Sequence, residues 1–134
     1  MVLNWLKSKL SLYALISLYV IAGLNHFIFP SFYLPLIPYD HPSPSSLNVI
    51  VGLLELSFGL LLLIPGRSRK YAAYAIIALL CIFIPVHIVF IREGGCFEGY
   101  FCVPSWVAHL RLWIVHPLLI YWVWVQRYNR VKLI

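Results

Sequence analysis

Charge is what this chain has least of. Its 134 residues include 10 Lys and Arg and 4 Asp and Glu, a charged share of 10%, where soluble domains carry roughly a quarter. Hydrophobic residues make up 63% and the mean hydropathy is +0.91. A domain of about 150 residues still leaves close to a third of its unfolded surface exposed, so so short a chain could not hide this much apolar surface from water. A soluble globular domain is excluded, and so is a disordered chain, which would have the opposite composition. The signatures of soluble catalysis are missing as well. There is no local Ser/His/Asp arrangement and no glycine-rich phosphate loop. The five histidines include no His-x-x-x-His pair. His109 and His116 are seven apart, so they share a helical face, but that is a poor chelating spacing, and no metal site is expected. The net charge of +6 does not point to nucleic acid, because the basic residues are scattered over short segments and not gathered on one folded face.

What is there is four long apolar runs: Leu10–Phe29, Leu47–Ile64, Tyr71–Ile91 and Ser105–Val125. Each can cross a hydrocarbon core of about 30 Å, and none alternates as a barrel strand would. The expectation is an all-α integral membrane protein of one domain, residues 1–134, built as a bundle of four transmembrane helices. The first run is too long for a signal-peptide core and lacks a small-x-small cleavage site, so it is read as a retained helix. Lys7 and Lys9 precede the first run, Arg67, Arg69 and Lys70 join the second to the third, and Arg127, Arg130 and Lys132 follow the fourth. Four crossings put all eight on one side, which the positive-inside rule assigns to the cytoplasm, with both termini. Asp40, Glu93 and Glu98 fall in the loops of the other side. One of those loops is the Pro-rich segment 30–46, expected to cap the bundle with one short helix at Ser31–Ile37.

Polar residues inside the spans carry the functional expectation. Ionisable groups at a bilayer centre cost about 2.5 to 3.5 kcal/mol on insertion scales. Glu55 lies roughly 12 Å and Arg111 roughly 9 Å below the outer surface. With Asn25, His26 and His87 they place a polar group in the outer half of every helix, which predicts an outward-facing polar pocket. Gly52, Glu55 and Gly59 share one helix face, and Gly23 shares a face with His26, so Glu55 and His26 are expected to point inward, where Gly permits close approach. Arg111 is the expected partner of Glu55. Two readings stay open: the charges pin greasy helices together, or they serve a ligand. Cys96 and Cys102 fall on the oxidising side, as a disulfide staple or a redox pair, and Cys81 is read as inert packing.

Several short motifs resemble the DoxX/DoxD-like family of small bacterial membrane proteins. They are Gly23-Leu24-Asn25-His26-Phe27-Ile28-Phe29-Pro30-Ser31-Phe32-Tyr33, Ile37-Pro38, His41-Pro42, the stretch Gly52 to Gly59 around Glu55, Leu63-Ile64-Pro65-Gly66-Arg67 and Leu110-Arg111-Leu112. The segment from Glu55 to His87 is also similar to the acetylcholine-receptor chaperones of the NACHO type, which carries Glu55, His87 and Arg111 over as matching intramembrane positions. The resemblance implies a four-helix bundle in the bacterial inner (plasma) membrane. It implies varied roles: a quinone oxidoreductase subunit, redox-stress membrane complexes, or chaperoning of membrane proteins. The expected function is a non-catalytic module whose outer pocket binds a lipid, a quinone or a membrane-protein partner. The alternative is a quinone-linked redox subunit using Cys96 and Cys102. Quinone is the one cofactor that either reading names; the lipid bilayer is the expected surrounding partner, and a homodimer stays open.

Overall fold

The computed structural model describes residues 5–37, 42–97 and 99–131. Asp40, His41, Glu98 and Lys132 lie outside the described residues. Helix α1 runs over Lys9–Ile28. Ser8 opens it: its hydroxyl accepts from the Ser11 N–H at 3.1 Å, satisfying one of the free donors of a first turn. Pro30 closes it by driving Phe29 out of the helical region, to φ −129° and ψ 62°. Two 3-10 turns follow, Pro30–Phe32 and Leu34–Leu36, where one short helix was expected. Helix α2 spans Pro44–Leu61. It begins ahead of the apolar run because Pro44 suits a first turn, where its missing N–H is no loss.

Helix α3 covers Arg67–Arg92, 26 residues or about 39 Å. Gly66 precedes it at φ +86° and ψ −133°, backbone that glycine adopts freely. The helix ends in a Schellman motif, with Gly94 at φ +70°. There the Gly95 N–H donates to the Phe90 carbonyl at 2.9 Å and the Gly94 N–H to the Ile91 carbonyl at 3.0 Å. A two-stranded hairpin follows, β1 (Cys96–Phe97) and β2 (Phe101–Cys102), with Cys96 opposite Cys102 and Phe97 opposite Phe101. Helix α4 spans Ser105–Gln126, and its middle, Arg111–Val115, is a π-helical turn. Pro117 explains the widening: it has no N–H for the Trp113 carbonyl, and an inserted residue re-pairs the backbone around such a gap. The π turn also parts His109 from His116. His109 is exposed and His116 buried, so the two do not share a face.

All four helices are long and apolar enough to cross a membrane. Their outward faces are greasy: Ile21, Ile82, Trp113 and Leu118 are 66%, 66%, 67% and 61% exposed. This is the make-up of a multi-spanning membrane protein. Cys81 lies on that outer surface, so its side chain is exposed on the bundle and not packed inside it.

The two ends of the bundle differ. At the terminal end, where residues 5 and 131 lie, Gln126 Nε2 donates to the Leu6 carbonyl and to Ser11 Oγ, and Asn129 Nδ2 donates to the Lys7 carbonyl. The start of α1, the turn between α2 and α3 and the finish of α4 therefore meet there. The apolar core lies in this half, built on Leu12, Leu15, Ile16, Tyr19, Leu62, Ala72, Ala73, Ile76, Leu80 and Val123. The opposite, hairpin end holds most of the buried ionisable side chains. Helices α1 and α2 are in closest touch, because Gly23 and Gly52 have no side chains in the way. A Cβ on Gly52 would lie 2.7 Å from His26 Cβ, and one on Gly23 2.8 Å from the Gly52 carbonyl.

Candidate functional site

The polar side chains expected in the outer half fall into two groups. The first lies between α1 and α2. Asn48, Gly52, Glu55 and Gly59 follow one another at helical spacing on the α2 face that meets α1, and all four are buried. His26 Nε2 faces Glu55 Oε2 at 3.4 Å, the one ion pair among the described residues. Glu55 thus pairs with His26, correcting the expected bond to Arg111. The physical reason is register: Gly23 and Gly52 bring α1 and α2 together at the level of this pair, whereas Arg111 lies on α4 with an exposed side chain.

Asn48 fixes the proton on His26. Its Nδ2 donates to the His26 carbonyl at 2.9 Å, which turns its Oδ1 toward His26 Nδ1 at 2.7 Å. An amide oxygen only accepts, so Nδ1 carries a hydrogen. Nε2 is then left facing a carboxyl oxygen. A single proton between Nε2 and Oε2 makes that contact favourable, as an imidazolium with a carboxylate or as an imidazole with a carboxylic acid. Beyond that contact Glu55 Oε2 has no hydrogen-bond partner among the described residues, and neither has the Tyr19 hydroxyl.

The second group lies between α3, α4 and the hairpin. His87 and His116 meet edge to face, with ring centroids 5.1 Å apart. His116 Nε2 donates to the Leu80 carbonyl at 2.8 Å, in the stretch of α3 that Pro85 disturbs by lacking its N–H. His87 and Arg111 line a cavity of about 120 Å³. Its other walls include Phe90 from α3, Phe101 and Val103 from the hairpin strand and its exit, and Val107 and Ala108 from α4. Phe32, Tyr33 and Leu36 complete it from the 3-10 turns.

Tyr33 is the link between the groups, and sequence reasoning did not single it out. It lines the cavity, its ring stacks on His26 with centroids 3.7 Å apart, and its hydroxyl accepts from Asn25 Nδ2 at 3.0 Å. Asn48 was missed as well; its spacing ahead of Gly52 and Glu55 was the available signal. Of the five expected pocket residues, His87 and Arg111 line the cavity, while Asn25, His26 and Glu55 do not.

Cys96 and Cys102 are joined as a disulfide across the hairpin. Strand alternation puts them on the face opposite Phe97 and Phe101, and neither lines the cavity. Phe32 stacks on Phe101 at 4.3 Å, which couples the hairpin to the 3-10 turns. Among the described residues no three His, Cys, Asp or Glu side chains gather as metal ligands would.

The chain belongs to the family described as Domain of unknown function (DUF8561), which matches residues 15–127. No curated protein and no solved structure matches it.

Proposed function

We propose that this DUF8561 protein is a membrane-embedded, non-catalytic binding module that receives the head of an amphiphile, a lipid or a quinone, beneath the hairpin. The observation that carries this reading is the cavity wall: Phe32, Tyr33, Phe90 and Phe101 face one imidazole, His87, and one cation, Arg111. Aromatic faces suit a ring or an acyl chain, and a guanidinium offers fixed donors to a carbonyl, carboxylate or phosphate oxygen. We read the chain as DoxX-like, with the hairpin end on the outer side of a bacterial plasma membrane and both termini in the cytoplasm. The basic residues of the terminal end support that orientation. The 3-10 turns Pro30–Phe32 and Leu34–Leu36 then cap the outer mouth, and a partner membrane protein docked there is the chaperone-like form of the same reading.

Native mass spectrometry in mild detergent, followed by organic extraction, tests the proposal. The expected result is one amphiphile per chain, lost in Arg111→Leu or Phe101→Ala. A chain that carries nothing, or mixed phospholipid unaffected by either change, overturns it.

The rival reading, a quinone-linked redox subunit, draws on the disulfide one residue from cavity-lining Phe101. A hydroquinone there would give two electrons and two protons to the disulfide, leaving a quinone and two thiols. Thiol labelling in cells separates the two readings. A pair that stays oxidised whatever the quinol supply supports the staple, and a pair that opens and closes with it supports redox.

A further inference from the structure

At the terminal end, far from the cavity, two cations converge on one ring. Lys70, in the first turns of α3, has its Nζ 5.6 Å from the Tyr128 ring centroid and 6.0 Å from that of Tyr74. Arg127, at the finish of α4, lays its guanidinium carbon 3.4 Å from the Trp124 ring centroid and 4.6 Å from that of Tyr128. Like charges brought to the same ring repel. Cation–π attraction offsets part of that, but it supplies no counter-charge. Among the described residues no carboxylate pairs with either cation. The chain's acidic residues are Asp40, Glu55, Glu93 and Glu98, none of them in the first turns of α3 or the last of α4. Arg127 Nη1 donates to the Trp124 carbonyl at 2.5 Å, and its Nε is buried with no acceptor among the described residues. A hydrogen bond from Tyr74, then Lys70 and Arg127, hold the Tyr128 phenol below its ordinary range, as a locally positive field does.

We propose that Lys70, Arg127 and the hydroxyls of Tyr74 and Tyr128 form a binding site for a phosphate group at the terminal end of the bundle. Two cations from different helices, two phenols and the level of a span's end suit the phosphate of an anionic lipid. Free inorganic phosphate offers the same oxygens and is the other source. The site is independent of the cavity and of the function proposed for it.

The test is thermal stability of the intact protein in nanodiscs of phosphatidylcholine alone or with phosphatidylglycerol, and separately in detergent with inorganic phosphate. An interfacial cation contributes about 1 kcal/mol towards an anionic surface, so Lys70→Gln and Arg127→Gln should each weaken the apparent phosphate affinity, read from the concentration dependence of the stabilisation, about fivefold, and the charge-keeping Lys70→Arg should retain it. The control is Lys9→Gln, an exposed charge at the same end. Stabilisation by phosphatidylglycerol that needs Lys70 and Arg127 supports the site and names a lipid. The same dependence with inorganic phosphate alone supports it and names a soluble ion. If Lys9→Gln weakens the effect as much as Lys70→Gln, the attraction is general and there is no site. No stabilisation by either phosphate source also overturns it.

Discussion

At the terminal end, the buried charge meets only backbone carbonyls; at the hairpin end, buried ionisable side chains meet each other. Arg69 is 0% exposed, yet among the described residues no carboxylate pairs with it. It donates to the carbonyls of Leu62, Leu63, Asn129 and Val131 at 2.7, 3.1, 2.7 and 2.7 Å. Those acceptors are carbonyls freed where α2 ends and where the chain runs on past α4, the groups a helix end leaves unpaired. Gln126, Asn129, Ser11 and Trp122 extend the same lattice to α1. The hairpin end has a proton-dependent His–Glu contact and an aromatic cavity lined by His87 and Arg111. The contrast separates two uses of polarity in one bundle. At the terminal end, the hydrogen bonds of Arg69, Gln126 and Asn129 are taken up within the chain, and the phosphate site proposed above draws on Lys70 and Arg127 instead. At the hairpin end, donors and acceptors stay in reserve.

The sharpest way to break that comparison is Arg69→Met. It strips a charged donor from four carbonyls, and charge-assisted bonds contribute about 1.5 to 3 kcal/mol each when measured singly. With partial replacement by water, the expected loss is about 4 kcal/mol or more, read from denaturation in detergent. Arg69→Lys should recover only part of it, since an ammonium lacks the planar fork. A loss below that of Gly52→Ala would end the idea that this end carries the stability.

Gly52→Ala comes next. The new methyl would sit 2.7 Å from His26 Cβ and 3.1 Å from the Gly23 carbonyl, so α1 and α2 must part. Overpacking of this kind costs about 1 to 3 kcal/mol. The His26–Glu55 contact should open with it, which nitrogen-15 shifts of the imidazole would report. An unchanged imidazole signal in a destabilised protein would mean that helix spacing does not set the pair.

A double-mutant cycle sharpens the comparison further. Glu55→Gln and His26→Leu should couple by about 1 kcal/mol, because either change alone strands its partner in an apolar setting. Glu55→Gln and Arg111→Met should add to within about 0.5 kcal/mol, as unconnected sites do. Coupling in the second cycle and none in the first would restore the Glu55–Arg111 bond and reject the geometry described above.

These outcomes also measure how far the sequence reaches. The four spans were legible because apolar length alone decides them, and the inward aim of Glu55 was legible from Gly52 and Gly59 on its face. The partner of Glu55 was not. His26 and Arg111 were both available polar side chains, and only the depth at which Gly23 meets Gly52 selects between them. Arg69 looked like Arg67 and Lys70, one of several flanking charges. What turns it inward is the set of bare carbonyls around Leu62, a property of the turn and not of the residue. Pro117 announced a disturbed α4, but the form it takes, a π turn that separates His109 from His116, depends on which neighbouring donors re-pair.

The smallest expected effect tests the boundary of the bundle. Cys81 is exposed among the apolar residues of α3, on a surface that lipid would cover. Cys81→Ala should therefore change stability by less than about 0.5 kcal/mol, the range of surface substitutions. The thiol should react with a lipid-soluble maleimide and resist a charged one, because a charged reagent does not enter hydrocarbon. A cost near 1 kcal/mol, together with resistance to both reagents, would mean that this face of α3 is covered by protein. With the chain's own helices packed elsewhere, the cover would be a second molecule. That result would move α3 from the lipid boundary to an interface and supply the homodimer seam that the sequence leaves open.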